Sequence, residues 1–229
     1  MDLSATALYT ASTWIIPVLL AITLHEAAHG FVAYRFGDDT AWRLGRVSLN
    51  PFKHIDPFGT VLLPALLLFL HAPFLFGYAK PVPVKFGALR NPRHDMVLVS
   101  AAGPATNLLQ AFAAAFLVHI VVFLPEGLDQ WMLANLRNAI VINVVLALFN
   151  MIPLPPLDGG RVAVGLLPDA LARPLASLER LGMLIIIGLL FILPMIGAQF
   201  GVNLNLLGWV LRGPVDWVIG TILRVAGLT

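Results

Sequence analysis

The chain has 229 residues, of which 59% are hydrophobic and 11% are charged, whereas soluble domains have roughly 45–50% apolar and about 25% charged residues. This apolar excess is too large for one globular core. A net charge of +2 without any run rich in Lys or Arg argues against nucleic-acid binding. The absence of cysteine excludes disulfides, thiolate metal ligands and a cysteine nucleophile.

Apolar blocks recur along the whole chain, and several reach the ~20 residues that a helix needs to cross the hydrocarbon layer. The first block has no basic region before it and no small-residue cleavage site after it, so we expect it to be a retained span rather than a signal peptide. The sequence predicts an all-α polytopic membrane protein with about five to six transmembrane helices. The blocks lie at about 8–36, 60–76, 96–124, 132–157, 181–200 and 203–225.

The block at 60–76 differs from the others because it is short, contains Pro64, His71 and Pro73, and has basic residues on both sides. We interpret it as a re-entrant or interfacial hairpin, since non-helical backbone is tolerated at membrane depth where protein buries it. A short span is the alternative. Residues 77–94 alternate polar and apolar residues around prolines, which favours an extended loop or an edge strand.

Basic residues form three clusters, which the positive-inside rule assigns to the cytoplasmic side. The first helix then runs inward, residues 96–124 return outward and residues 132–157 run inward again. We expect one integral membrane domain, 1–229, that ends in a helical hairpin at about 180–225. The clusters are Arg35, Arg43, Arg46 and Lys53; Lys80, Lys85, Arg90 and Arg93; and Arg161, Arg173 and Arg180.

The first apolar block contains the pattern HExxH, formed by His25, Glu26 and His29. Positions i and i+4 share one face of a helix, so both imidazoles can reach the same metal ion. Glu26 lies beside that face, where it can take a proton from water and pass it to a leaving amine. Burying three ionisable groups in a membrane helix is costly, and such groups usually face a functional cavity. The pattern predicts metal-dependent hydrolysis.

A catalytic zinc site normally needs a third protein ligand, and the residues leave its identity open. Asp158 stands out in FNMIPLPPLDGG, where prolines end an apolar run and two glycines follow. Unwound backbone beside a buried carboxylate suits a ligand, but Asp158 in an ordinary turn that caps a following helix fits equally well. The other candidates are Asp38, Asp39, Asp56, Asp95, Asp169, Glu179, Asp216, His54, His71, His94 and His119.

The sequence HEAAH in an early span and NMIPLPPLDGG in a later one resemble the site-2 protease family of intramembrane zinc metalloproteases, peptidase family M50. GRVSLNPFKHIDPFGT and AAGPATN resemble further signatures of a short bacterial branch that has no PDZ or CBS domain. The match covers roughly residues 15–165. The Ala-Ala centre of the HExxH pattern departs from the commoner Phe-Gly or Leu-Gly, but it removes no chemical group.

The resemblance implies that His25, His29 and Asp158 hold one Zn²⁺ per chain, with Glu26 as the general base. Asn150 would contact the substrate carbonyl or its oxyanion. The catalytic core would cover about 8–165. For Asn107 and Asn143, hydrogen bonding between helices is the expected role.

The expected substrate is a transmembrane or membrane-edge protein segment, cut in the cell membrane, which is a bacterial inner membrane in this branch, with the site toward the cytoplasm. The expected partners are that protein and the lipid bilayer, with no nucleic acid, and the sequence does not indicate an oligomeric state. One alternative is a metal-binding membrane protein without proteolysis. Another is an inactive protease homologue that binds substrate helices without cutting them.

Overall fold

The computed structural model describes residues 3–62, 66, 69 and 80–229. Within these residues the regular structure is helical and no strand occurs. Short 3-10 or π turns extend or connect several of the helices. The α-helices are α1 (Leu3–Arg35), α2 (Thr40–Arg43), α3 (Pro92–Leu117), α4 (Leu128–Asn150), α5 (Asp158–Leu166), α6 (Asp169–Ser177), α7 (Glu179–Ile187), α8 (Leu193–Gln199) and α9 (Leu206–Val225).

Five helical segments of the described chain are long and apolar enough to cross a membrane. This number agrees with the predicted all-α polytopic fold, and the chain is a multi-pass membrane protein. The segments are Leu8–Arg35, Pro92–Phe123, Leu128–Asn150, Glu179–Gln199 and Leu206–Val225.

Local sequence explains where the site-bearing helices begin and end. Pro92 is the first residue of α3, a position where its fixed φ suits a helix and its missing N–H costs nothing. The carboxylate of Asp95 accepts the N–H of Asn91 at 2.8 Å and secures that end. At the other end of the site, α4 stops at Asn150, earlier than the apolar block at 132–157, because three prolines follow within six residues.

Helices α1, α3 and α4 pack against one another, and the short α5 packs against α3. Near one end of α3 and α4, small and branched side chains form a buried cluster with the last helix, α9. A second cluster of Ala33, Leu89 and Val99 joins the end of α1 to the start of α3. The three helices therefore form the packed centre of the described structure, and the other spans lie outside it.

Two predictions fall in the connection between α1 and α3. The predicted hairpin at 60–76 lies almost entirely outside the described residues. At its start, Pro57–Leu62 are described and form a π turn. Residues 80–85 have neither helix nor strand, in agreement with the predicted extended loop. The extended prediction is wrong beyond that point, because Phe86–Ala88 form a 3-10 turn and α3 begins at Pro92.

Candidate metal centre

His25 and His29 lie one turn apart on α1, and both side chains are buried. Their Nε2 atoms are 3.0 Å apart and turn toward the same point. Nδ1 of His29 lies 2.7 Å from the backbone oxygen of Val99 on α3. A carbonyl oxygen can only accept, so Nδ1 of His29 carries the proton and its Nε2 presents a lone pair.

Asp158 is the first residue of α5, directly after a non-helical turn at 151–157. Its Oδ2 atom lies 3.2 Å from Nε2 of His25 and 3.4 Å from Nε2 of His29. A helix does start here and the carboxylate turns toward the histidines, but Asp158 is the first helical residue rather than the cap, because Leu157 occupies the N-cap position.

The two glycines of the LDGG sequence allow the turn to fold against the start of α5. A Cβ atom at Gly159 would lie 2.2 Å from the backbone oxygen of Met151, and one at Gly160 would lie 2.2 Å from the backbone nitrogen of Pro155. Both distances are far below van der Waals contact, so a larger residue at either position would push the turn away. The glycines thereby fix where Asp158 enters the site.

The three donor atoms fit a zinc ion. In tetrahedral zinc sites with metal–ligand distances of about 2.0–2.2 Å, neighbouring ligand atoms are about 3.3–3.6 Å apart, close to the 3.0, 3.2 and 3.4 Å seen here. Oδ2 of Asp158 is buried and has no hydrogen-bond partner, a costly arrangement unless a cation satisfies it. In the described part of the chain, no other group of three His, Asp or Glu residues could hold a metal ion.

Glu26 lies between the two histidines in sequence, and its Oε2 atom accepts the backbone N–H of Val82 at 2.7 Å. The extended segment 80–85 is therefore in direct contact with the proposed base. Arg46 is almost fully buried and donates to the backbone oxygens of Lys80 and Pro81. These bonds fix one end of the segment beside Glu26.

The other end of segment 80–85 is bound by Asp38. This buried carboxylate accepts the backbone N–H of Lys85 at 2.6 Å and that of Thr40 at 3.0 Å. Burial acts to raise the pKa of Asp38, but the hydrogen bonds from Thr40 and Lys85 and the positive charge of Lys85 outweigh it and lower the pKa below its usual value. Asp38 therefore stays ionised and anchors the segment.

Helix α3 contributes residues to the site that sequence reasoning assigned to helix packing. Asn107 is fully buried, and its Oδ1 atom lies 2.6 Å from Nδ1 of His25. A Cβ atom at Gly103 would lie 2.5 Å from Nε2 of His29 and 2.6 Å from Cε1 of His25. The signal was present in AAGPATN, where Gly103 and Asn107 share a helix face at i and i+4. The contact of the Val99 carbonyl could not be predicted in this way, because every residue has a backbone carbonyl.

Asn150 is the last residue of α4, and its Nδ2 atom donates to the backbone oxygen of Leu146 at 3.0 Å within the same helix. Its role at the substrate carbonyl stays a prediction. Most of the alternative third-ligand candidates have other partners, while His71 lies outside the described residues. Those partners are Arg43 for Asp39, Asn91 for Asp95, Arg93 for Asp169, Arg161 for Glu179, Arg212 for Asp216, Ser48 for His54, Asp95 for His94, Ala226 for His119, and Phe58 and Gly59 for Asp56.

Comparison with known proteins relates the chain to a family of peptidases. The profile of peptidase family M50 matches residues 125–195. The chain is 40% identical over 189 residues to "Putative zinc metalloprotease YwhC" of Bacillus subtilis (strain 168), a match that covers 79% of this chain and 80% of the relative.

More distant relatives carry similar names. "Putative zinc metalloprotease Rip2" of Mycolicibacterium smegmatis (strain ATCC 700084 / mc(2)155) is 31% identical over 75% of this chain and 64% of its own length. "Putative zinc metalloprotease MJ0611" of Methanocaldococcus jannaschii is 28% identical over 60% of this chain and 62% of its own length. No solved structure matches the chain. The extent and identity of the first match show that the chain belongs to peptidase family M50, as a short member of the site-2 protease family.

Proposed function

We propose that the chain is an intramembrane zinc metalloprotease that hydrolyses peptide bonds of membrane-embedded substrate proteins. The observation that carries this proposal is the convergence of two imidazoles and one carboxylate from His25, His29 and Asp158, all buried, beside Glu26. The two histidines and Glu26 belong to a helix that is long and apolar enough to span the bilayer. We propose one zinc ion per chain, held by these three ligands.

Zinc, when bound, supplies a Lewis acid that polarises a carbonyl and makes water acidic enough to react near neutral pH. We assign to Glu26 the transfer of the proton: it takes a proton from the attacking water and delivers it to the amine that leaves when the C–N bond breaks. The N–H of Val82 on Oε2 fixes the orientation of the carboxylate. Proton transfer is therefore assigned to Oε1.

Asn150 is proposed as a contact for the oxygen of the scissile carbonyl. A side-chain amide has two N–H groups, and one of them donates to Leu146 in α4. The second would stabilise the negative charge that develops on the carbonyl oxygen during attack. The position of Asn150 supports this role, because it directly precedes the turn that leads to Asp158.

Segment 80–85 is proposed as the element that holds the substrate. An intact helix hides its backbone carbonyls, so a substrate helix must unwind before water can attack it. An extended chain that pairs with segment 80–85 would pass close to Glu26, because Val82 already contacts that residue. The anchors at Asp38 and Arg46 would keep the segment in place during this pairing.

We expect the site to face the cytoplasmic side of the cell membrane. The end of α1 that carries His29 leads directly to the basic residues Arg35, Arg43 and Arg46, and such clusters favour the cytoplasm. Water would then reach the site from that side. The proposed partners are the substrate segment and the surrounding lipid.

The test compares the parent chain with Glu26→Gln, each co-expressed with a panel of tagged single-span membrane proteins. Gln keeps an oxygen that can accept the Val82 N–H but cannot act as a base, so we expect zinc content to persist and cleavage to fall by about 10²–10⁴-fold. Glu126→Gln, in the exposed loop before α4, is the matched control. Equal cleavage by the parent and Glu26→Gln would contradict the mechanism. A parent that holds zinc and cleaves none of the panel would favour a metal-binding or inactive homologue.

A further inference from the structure

One face of α3 carries three successive contacts to the histidines of α1. Val99, Gly103 and Asn107 are spaced four residues apart, so they lie along the same side of the helix. Val99 bonds to the ring of His29 through its carbonyl, Gly103 leaves the space in which both rings lie, and Asn107 contacts the ring of His25. This alignment extends the site from α1 to α3.

The orientation of the Asn107 amide follows from its other partners. Nδ2 of Asn107 is 3.1 Å from the backbone oxygen of Ala21 and 2.7 Å from Oδ1 of Asn143. Asn143 is oriented in turn by its own Nδ2 atom, which donates to the backbone oxygen of Ala139 at 2.9 Å. Since a backbone oxygen can only accept, each amide has one possible orientation.

This orientation determines which ring nitrogen of His25 is protonated. Oδ1 of Asn107 must face Nδ1 of His25 at 2.6 Å, so Nδ1 has to donate. Nε2 of His25 then carries a lone pair, which is directed toward Oδ2 of Asp158 and Nε2 of His29. The hydrogen bonds of Asn107 to Ala21 and His25 thus prepare a metal-binding nitrogen before any metal arrives.

We infer that Asn107 is a positioning residue that fixes the tautomer and ring orientation of His25 for zinc. The inference rests on the proposed function, since it assumes that His25 is a zinc ligand. Partners that hold the second nitrogen of a ligating histidine typically contribute 10–100-fold to metal affinity, as an order of magnitude. Asn107 is well suited to this task because it binds both the ring of His25 and the carbonyl of Ala21 one turn earlier on the same helix.

A role limited to helix packing would look different. The bond between Asn107 and Asn143 alone would join α3 to α4, and bonds of this kind in membrane proteins contribute about 0.6–2 kcal/mol. That role does not require the 2.6 Å contact with His25. The two roles can therefore be separated, because replacing Asn143 removes the bond between the asparagines but leaves Asn107 bound to Ala21 and His25.

The experiment measures the zinc dissociation constant of the purified full chain in detergent, by competition with a fluorescent zinc chelator. We expect Asn107→Ala to weaken zinc binding by about 10–100-fold. Asn143→Ala, which loses the same bond between the asparagines, should change it by less than about threefold, because the Ala21 carbonyl still orients Asn107.

A parent-only measurement covers the case in which Asn107→Ala does not fold. Histidine ¹⁵N NMR of the zinc-loaded parent should show a protonated Nδ1 on His25, and an unprotonated Nδ1 would overturn the inference. Equal zinc affinity in the parent and Asn107→Ala, or an equal loss in Asn143→Ala, would also overturn it while the proposed protease remained. A parent that binds no zinc would overturn the proposed function together with this inference.

Discussion

The N-terminal and C-terminal spans are similarly apolar, but they differ in how much of their surface other helices cover. In the apolar stretch of the first span, Leu8–Arg35, 39% of the residues are buried inside the protein. The corresponding share is 17% in Glu179–Gln199 and 6% in Leu206–Val225. The buried polar side chains lie in α1, α3 and α4, in the connection between α1 and α3, and at Asp158, the first residue of α5. Polar side chains at membrane depth thus lie on helices that other helices surround, because exposing them to lipid would be costly.

The two regions come into contact at the turn that precedes Asp158, as well as in the buried cluster of α9 with α3 and α4. A Cβ atom at Gly182 of α7 would lie 1.7 Å from the backbone oxygen of Pro155, so the backbones of α7 and the turn touch at this point. The C-terminal part therefore supports the site at this turn, while most of its surface lies outside the packed centre. Substitutions at matched positions can measure how far this difference holds.

The largest effect is expected from Gly103→Ala. The added methyl would overlap the rings of His25 and His29, and these rings have little room to move because Asn107 and Val99 hold them. Misplacement of ligands by about 1 Å can cost about 10²-fold in activity, so we expect cleavage to fall by about that factor and zinc to be lost on dialysis. Gly220→Ala in α9 meets nothing within 4 Å and should leave both unchanged. Zinc retention in Gly103→Ala would contradict the close approach of α3 to α1.

A smaller effect is expected from Gly182→Ala, which tests the contact between the regions. The methyl would push α7 away from the turn, and overpacking of this kind costs about 1–3 kcal/mol. We expect a lower melting temperature in detergent and weaker zinc binding, because Asp158 follows the displaced turn. Gly188→Ala, just beyond α7, has no neighbour within 4 Å and is the control. Equal behaviour of the two variants would mean that the C-terminal spans do not support the site.

Asp38→Asn should have a moderate, pH-dependent effect. Asn keeps one acceptor oxygen but loses the charge, and hydrogen bonds to charged groups contribute about 1.5–3 kcal/mol. Because folding lowers the pKa of Asp38, its contribution is fully present above the unfolded pKa of about 3.9 and is lost as the pH falls through the lower folded value.

Thermal unfolding in detergent between pH 7 and pH 3 measures this dependence. The parent should exceed Asp38→Asn in stability at pH 7, and the difference should shrink toward pH 3. Asp39→Asn, which loses only an exposed ion pair with Arg43, should resemble the parent at every pH. A difference between the parent and Asp38→Asn that grows as the pH falls would contradict the assignment.

The smallest effect is expected from Arg212→Gln in α9. Arg212 and Asp216 are both largely exposed and only 4.0 Å apart at their nearest charged atoms, and exposed pairs contribute about 0–1 kcal/mol. We expect the free energy of unfolding to change by less than about 0.5 kcal/mol, with zinc binding and cleavage unchanged. A loss comparable to that of Gly182→Ala would show that the last helix is part of the functional unit.

The helical fold followed from sequence because the apolar blocks are long. Two helix boundaries did not, since α3 begins at Pro92 inside the stretch predicted to be extended and α4 ends at Asn150 inside the block at 132–157. Local patterns were sufficient to predict that His25 and His29 share a face. They were not sufficient for Asp158, since the residues alone could not say which distant carboxylate the turn would bring within 3.4 Å of the histidines. Only the packing of α3 against α1 and of α5 against α3 defines that contact.

The contribution of α3 was missed for a related reason. The sequence predicted that Asn107 and Asn143 form hydrogen bonds between helices, and a bond between the two is present. The additional contact with His25 depends on the distance between α1 and α3, which Gly103 sets by lacking a side chain. Sequence marks such a glycine but does not say which groups lie opposite it.

The central proposal is a zinc ion held by His25, His29 and Asp158. Elemental analysis of the purified full chain, beside His25→Ala and Asp158→Ala, tests it most directly. We expect about one zinc per chain in the parent and loss of zinc in both variants, since three protein ligands are normal for a catalytic zinc site. Zinc absent from the parent, or fully retained by Asp158→Ala, would contradict the proposed centre.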